Sequence, residues 1–251
     1  MEYYYLAAPA GVGESVRFAP DESRHIARVR RHRNGDRVRA TDGRGIEYLV
    51  EVSDVGDDAV SGRVLSAVPG RGEPGVRVTL AQGILKGDHL ALVVEAVTQL
   101  GVASIVPFRS ARTVGGFRPG RAERLRKVAL GAMKCSRRSV LPEIHDALEF
   151  DALAARCGEY DAALVAWEGE TTQALDRKLV GDPVSVMVVV GPEGGFEESE
   201  IETLRHAGAR SCSLGSRPLR AELAGTVAVT ELLCVLGEMV PPGNAPHGKE
   251  V

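Results

Sequence analysis

The sequence predicts an α/β protein in two parts: a small antiparallel β domain, then a larger domain built on a mostly parallel sheet with helices on both faces. Three observations carry this. Before residue 69, short alternating segments are separated by Gly, Asn and Asp turn signals, which is the pattern of successive hairpins. After it, strand-like and helical runs alternate, which implies parallel strands joined by crossover helices. Near residue 190 a β-branched run, Val186-Met187-Val188-Val189-Val190, breaks abruptly into Gly191-Pro192-Glu193-Gly194-Gly195, as a buried strand does where it ends in a tight loop.

In chain order, Arg37–Ala40, Tyr48–Val52 and Ala59–Val64 read as strands. Asn34-Gly35-Asp36, Asp42-Gly43-Arg44-Gly45 and Gly56-Asp57-Asp58 punctuate them. The Pro/Gly-rich segment Pro69–Gly75 suits a linker, so domains over residues 1–72 and 73–240 are expected, with a disordered tail over 241–251. Val76–Ala81 reads as a strand, His89–Leu100 as a helix closed by Gly101, and Ser104–Pro107 as a strand. Ala122–Ser136 is a basic helix, Ala162–Trp167 a strand, and Glu198–His206 a helix stopped by Gly208. The pattern from Ala221 to Val240 is helical again.

Composition narrows the function classes. A chain of 251 residues buries a substantial core as one large or two modest domains. Its four cysteines, Cys135, Cys157, Cys212 and Cys234, form no Cys-x-x-Cys pair and have no histidine at zinc spacing. Neither a metal site nor a disulfide framework is indicated, and a reducing cytoplasm fits. The N-terminus lacks the basic and apolar regions of a signal peptide, and no apolar run reaches membrane-spanning length.

The formal net charge of −3 argues against a nucleic-acid binder only on average, because local distribution matters more. Arginine is concentrated in His25-Ile26-Ala27-Arg28-Val29-Arg30-Arg31-His32-Arg33, followed by Arg37 and Arg39. Asp21, Glu22 and Asp36 are too few to pair them all. A solvated helix face is the bland reading; phosphate neutralisation on a small β platform is the functional one. A second basic set, Arg109, Arg112, Arg118, Arg121, Arg124, Arg126, Lys127, Lys134, Arg137 and Arg138, suggests an anionic substrate. Which of them share one cleft is not legible in the sequence.

The chemistry concentrates in two glycine-bearing loops separated by one helix: Gly191–Gly195, and Leu214-Gly215-Ser216-Arg217-Pro218-Leu219-Arg220-Ala221-Glu222. Loops at the carboxyl edge of a parallel sheet are where α/β proteins bind small ligands, and here Arg220 and Glu222 stand beside them. Gly43-Arg44-Gly45 lacks the context of a dinucleotide site; no phosphate-binding Gly-x-x-x-x-Gly-Lys loop and no Gly-x-Ser-x-Gly elbow occurs. Group transfer from a bound small donor remains.

These loops resemble the signature of the RsmE family, small-subunit rRNA uridine N3-methyltransferases of the SPOUT (α/β-knot) superfamily. The resemblance rests on Gly191-Pro192-Glu193-Gly194-Gly195-Phe196 with Glu200, and on Leu214-Gly215-x-Arg217-x-Leu219-Arg220-x-Glu222. It extends in order along nearly the whole chain. His25, Arg28 and Arg31 match the family's His-x-x-Arg-Val-Leu-Arg segment, and Leu100-Gly101-Val102 with Pro107 its Glu-Leu-Gly-Val element. Arg112 matches its following arginine, and Arg138 with Pro142-Glu143-Ile144 its Arg-x-x-x-Pro-Glu-Ile element.

The resemblance implies a PUA-like β-barrel that holds RNA and a trefoil-knotted SPOUT domain that binds S-adenosylmethionine and dimerises. Gly191, Pro192, Glu193, Gly194, Gly195, Leu214, Gly215 and Leu219 would bind the donor, with Trp167-Glu168 as a third loop. His25, Arg28, Arg31, Arg112 and Arg138 would bind RNA. The N3 of uracil is a poor nucleophile until its proton leaves, so Glu222 is the candidate base and Arg220 the group that stabilises charge on a uracil oxygen. No metal or membrane is implied, and the partner is ribosomal RNA or the small ribosomal subunit.

This chain departs from the family pattern at Ala96-Val97-Thr98-Gln99, at Lys134-Cys135 and at Leu219-Arg220-Ala221-Glu222-Leu223, where two hydroxyls are lost. Two alternatives therefore stand beside the leading reading. One is a divergent methyltransferase acting on another RNA nucleotide or a small heteroaromatic metabolite. The other is a non-catalytic RNA-binding relative.

Overall fold

The computed structural model describes residues 3–56, 59–70 and 72–240; the expected tail over 241–251 lies outside them. The chain divides into two compact units, Met1–Glu73 with Leu130–Leu141, and Pro74–Ala129 with Pro142–Val251.

The first unit holds strands β1 (Tyr3–Tyr5), β2 (Ser15–Arg17), β3 (Arg37–Thr41), β4 (Ile46–Val55) and β5 (Val60–Pro69), with helix α1 (Pro20–Arg24) between β2 and β3. They form one sheet in the order β1-β3-β4-β5-β2. Side chains alternate across it as strand geometry requires: Val38 and Ala40, then Tyr48, Val50 and Val52, are buried in a core with Tyr4, Phe18, Ile26 and Val64. The β3–β4 turn is set by Asp42, whose carboxylate accepts from Arg44 N–H at 2.8 Å and from the Tyr48 hydroxyl at 3.0 Å. One pairing differs from the expected antiparallel pattern, since β1 runs parallel to β3. Three tyrosines are too short a run to announce a strand by periodicity.

The Pro/Gly-rich segment is more than a spacer. Gly70 N–H donates to Gly45 O at 2.8 Å, and Glu73 Oε1 accepts the N–H groups of Ser139 and Val140, each at 3.0 Å. Those contacts draw Leu130–Leu141 into the first unit although it lies far along the chain. Arg138 belongs to this packing. It is 3% exposed, and its Nη2 and Nε meet Glu73 Oε2 at 2.7 and 3.1 Å. The expectation that Arg138 contacts RNA is corrected, because a guanidinium buried against its own carboxylate has no surface to offer a phosphate.

The second unit contains β6 (Arg77–Gly83), α2 (His89–Leu100), β7 (Ser104–Arg109), α3 (Arg121–Ser136, its last turns in the first unit), β8 (Glu143–Ile144), β9 (Leu148–Glu149), α4 (Phe150–Ala155) and β10 (Ala162–Ala166). It continues with α5 (Arg177–Val180), β11 (Ser185–Val190), α6 (Glu198–His206), β12 (Ala209–Cys212) and α7 (Ala221–Val235). The sheet order is β12-β10-β11-β6-β7-β8, with β9 also on β7, and every pair is parallel.

Helices cover both faces of this sheet, so its central strands are continuous apolar runs. Ala81, Met187 and Val189 pack with Leu153 of α4 and Ile201 and Leu204 of α6. On the opposite face Leu80 and Val93 of α2 approach Gly225 of α7. The helix at 198–206 starts with a capping box, in which Glu197 and Glu200 satisfy each other's backbone N–H groups. Glu200 also accepts from Ala111 N–H at 2.8 Å, which ties the loop after β7 to the start of α6. Among the described residues no helix is long and apolar enough to cross a membrane.

Candidate active site

Strand order builds the site. Because β12, β10 and β11 are parallel neighbours, the loops that follow them leave the same edge of the sheet. Trp167-Glu168 follows β10, Gly191–Phe196 follows β11, and Ser213–Arg220 follows β12. They enclose a cavity of about 590 Å³ with the first turn of α7. Of the residues expected to bind the donor, Trp167, Glu168, Gly191, Pro192, Glu193, Gly195, Leu214, Gly215 and Leu219 all line it.

Gly194 is not among the lining residues. Its carbonyl accepts from Arg112 Nη1 at 3.3 Å, and a Cβ there would lie 2.9 Å from Arg112 Cβ. Gly194 is thus the place where the loop leans on Arg112, which is itself half exposed and also 3.9 Å from Glu197.

The floor of the cavity is fixed by β6, which pairs with β11 so that Gln82 stands opposite Val190. Gln82 is fully buried and its Nε2 donates to Gly191 O at 3.1 Å. The two strand ends approach so closely that a Cβ on Gly83 would lie 2.4 Å from Pro192 N. The loop then turns sharply, with Gly195 at φ 69° donating its N–H to Pro192 O at 2.9 Å. Glu193 reaches back to accept Lys86 N–H at 2.8 Å.

The wall after β10 is held by a polar network. The Arg205 guanidinium lies over the Trp167 ring at 5.5 Å and donates to Ser211 Oγ at 2.8 Å, while Ser211 donates to Glu170 Oε2 at 2.6 Å. Hydrogen bonds to Glu170, first from the Ser211 hydroxyl and then from Thr172, pull its pKa down to about 2. Cys212, at the end of β12, is buried, and desolvation above all pushes its thiol up to about 12, so it offers no thiolate.

The two residues expected to carry the chemistry lie at the start of α7. Arg220 is its N-cap residue and Glu222 lies in its first turn. Glu222 is 19% exposed by its side chain and Arg220 86%, with Arg220 Nη1 3.9 Å from Glu222 Oε1. The other carboxylate oxygen, Oε2, is 3.9 Å from His89 Nδ1. His89 also lines the cavity, and sequence reasoning missed it. The signal was available in principle, since His89 follows the loop at the carboxyl end of a parallel strand. What the sequence did not show is that β6 sits beside β11.

The remaining residues expected to touch RNA lie in the first unit. His25 opens a π-helical turn, His25–Val29, and meets the Tyr4 ring edge-on at 5.8 Å. Arg28 and Arg31 are exposed. Arg31 adopts φ 58°, a left-handed conformation uncommon for a side chain this large, and His32 N–H closes the turn onto Ile26 O at 3.0 Å.

Residues 72–233 match the RNA methyltransferase domain family, and residues 18–65 match the RNA methyltransferase PUA domain family. The chain belongs to the RsmE family. It is 32% identical to ribosomal RNA small subunit methyltransferase E of Bacillus subtilis (strain 168), over 84% of this chain and 87% of that one. It is also 32% identical to the protein of the same name from Mycobacterium bovis, over 83% and 82% of the two chains. Among solved structures, a methyltransferase from Legionella pneumophila in complex with bound SAM is 25% identical, with a TM-score of 0.83 over 92% of this chain and 96% of that one. An RsmE structure from Neisseria gonorrhoeae shares the fold at 24% identity, with a TM-score of 0.86 over 96% and 100%. In this chain a PUA-like unit accompanies a parallel α/β SPOUT-like unit.

Proposed function

We propose that this RsmE-family protein transfers a methyl group from S-adenosylmethionine to N3 of a uridine in small-subunit ribosomal RNA. The observation that carries the reading is the convergence of three neighbouring strand-end loops on one cavity, with Glu222 at its edge between Arg220 and His89. The cavity suits the donor in size, within the range of small-molecule sites. The main-chain groups of the loops after β11 and β12 that line the cavity suit the adenine and ribose, and the Glu168 carboxylate suits a cationic or hydroxyl-bearing group. Bound there, S-adenosylmethionine supplies an activated methyl group that needs no metal.

The chain's own residues prepare the acceptor. Glu222 takes the N3 proton and Arg220 places positive charge where a uracil oxygen becomes negative, with His89 beside the second Glu222 carboxylate oxygen at 3.9 Å. Gln82 fixes Gly191 and thereby the depth of the donor site. Alignment of donor and acceptor provides much of the remaining acceleration. The same reading includes a trefoil knot around the donor loops, a homodimer, action in the cytoplasm, and Arg28, Arg31 and His25 as RNA contacts.

The test is methyl transfer from labelled S-adenosylmethionine to naked small-subunit rRNA, to small ribosomal subunits and to small heterocycles bearing an acidic ring N–H. Label at uridine N3 of the rRNA is expected. Label confined to a small molecule, or donor binding with no transfer to any acceptor, contradicts the proposal.

A further inference from the structure

The second unit carries more arginine than the cavity above employs. Arg118, Arg121 and Arg124 line a separate cavity of about 560 Å³, formed by the loop after β6, the loop before α3 and the first turn of α3. Leu85, Gly87 and Asp88 line this second cavity, and the next residue, His89, lines the first. The two cavities therefore meet at the step from Asp88 to His89, where the loop after β6 enters α2.

The three arginines differ in freedom. Arg121 is half-buried and fixed, donating to Leu85 O and Gly87 O at 3.0 Å each and to Gly116 O, with its guanidinium over the Phe117 ring at 5.7 Å. Arg124 reaches Asp88 at 2.9 Å, but both side chains are largely exposed, so the pair is weak. Arg118 is exposed. Asp88 is the one acid among these lining residues, against three arginines. Its carboxylate accepts no backbone N–H of α2, so replacing it with an amide breaks no cap hydrogen bond.

We propose that this second cavity is an anion subsite that takes a backbone phosphate of the RNA flanking the acceptor nucleotide. The inference rests on the proposed function, since it needs an RNA substrate at the neighbouring cavity. Arg121 and the carbonyls it binds give a rigid rim. Arg118 and Arg124 close on the phosphate oxygens, with Arg124 exchanging the single exposed oxygen contact to Asp88 for a phosphodiester that it can meet through two oxygens. Guanidinium geometry matches phosphate oxygens two at a time, which a lysine does not. Because adjacent residues, Asp88 and His89, line the two cavities, a phosphate seated here sets how far the strand extends over the donor site.

The test uses the full chain and naked small-subunit rRNA, with affinity measured across a salt series for the wild type, Arg118→Ala/Arg124→Ala, Asp88→Asn and Lys127→Ala. Lys127 is exposed on α3 and outside the cavity. Loss of one phosphate contact flattens the slope of log affinity against log salt by about 0.7–0.9. The double variant is expected to show that flattening and roughly tenfold weaker binding at low salt. Asp88→Asn is expected to bind RNA more tightly, and Lys127→Ala to match the wild type. Equal slopes in wild type and double variant, an equal loss in Lys127→Ala, or weaker binding by Asp88→Asn each overturns the subsite. Titration with inorganic phosphate separates a free-anion site: saturation at affinities matching those for RNA overturns the assignment to RNA. Calorimetry with S-adenosylmethionine is expected to be unchanged in every variant. If the wild type itself binds no donor, the proposed function fails while the RNA salt response still reports on the subsite.

Discussion

The cavity of the second unit is shaped by main chain, whereas the arginine segment of the first unit presents long side chains, and the two regions obey different rules. In the cavity, strand register puts Gln82 opposite Val190 and leaves no room for a Cβ on Gly83, so the position of each loop follows from the sheet. An arginine has no such constraint. Arg31 projects into solvent from a left-handed turn, while Arg138 lies buried on Glu73. The same residue type is left open to solvent in one place and serves packing in another, and only the partner on offer decides which.

The sharpest way to break this comparison is at the cavity edge. Glu222→Gln is expected to bind S-adenosylmethionine normally and to lower the single-turnover methylation rate by about 10²–10⁴, the usual contribution of a positioned base. An unchanged rate removes Glu222 from the chemistry. In the first unit the largest effect is expected on stability. Arg138→Ala leaves the Glu73 carboxylate without its cation and is expected to cost about 3–5 kcal/mol in denaturant unfolding. Arg28→Ala with Arg31→Ala, by contrast, is expected to leave unfolding within about 0.5 kcal/mol and to flatten the salt dependence of RNA binding. If the exposed pair destabilises and the buried arginine does not, the division of roles is reversed.

A smaller effect is expected behind the cavity. Gly225→Ala improves helix propensity, yet its Cβ would lie 2.5 Å from Gln82 Oε1, on the side chain that holds Gly191. The net expectation is a loss of about 1–3 kcal/mol in stability together with weaker donor binding. A more stable variant with unaltered donor affinity would separate Gln82 from the cavity floor. The smallest effect concerns Glu170. Its folded-state pKa is depressed from 4.5 to about 2, so its contribution is complete above pH 4.5 and is lost as pH falls toward 2. In thermal unfolding across pH, the deficit of Glu170→Gln is therefore expected at neutral pH and to shrink below 4.5. A deficit that grows on acidification contradicts the network that steadies Trp167.

The same contrast explains how much the sequence revealed. The β-branched run at 186–190 and the Gly-Pro and Gly-bearing loops after it mark strand ends directly, because a chain can turn that sharply in few ways. Glu222 and Arg220 follow from their place in that loop. His89 was hidden because the pairing of β6 with β11 joins segments far apart in sequence, and apolar runs carry no address for their neighbour. Arg138 was misread because burial of a guanidinium depends on Glu73 and on the return of Leu130–Leu141 to the first unit, neither of which leaves a periodic trace. The linker segment was legible as irregular chain, but the hydrogen bonds that make Gly70 and Glu73 structural were not.

The central claim is that loops from three adjacent parallel strands grip one activated methyl donor. Calorimetric titration of the purified protein with S-adenosylmethionine tests it most directly. Saturable binding of one molecule per chain, retained in Glu222→Gln and weakened when Gly195 is replaced by valine, is the result expected. No binding by the wild-type protein, or binding indifferent to Gly195→Val, contradicts it.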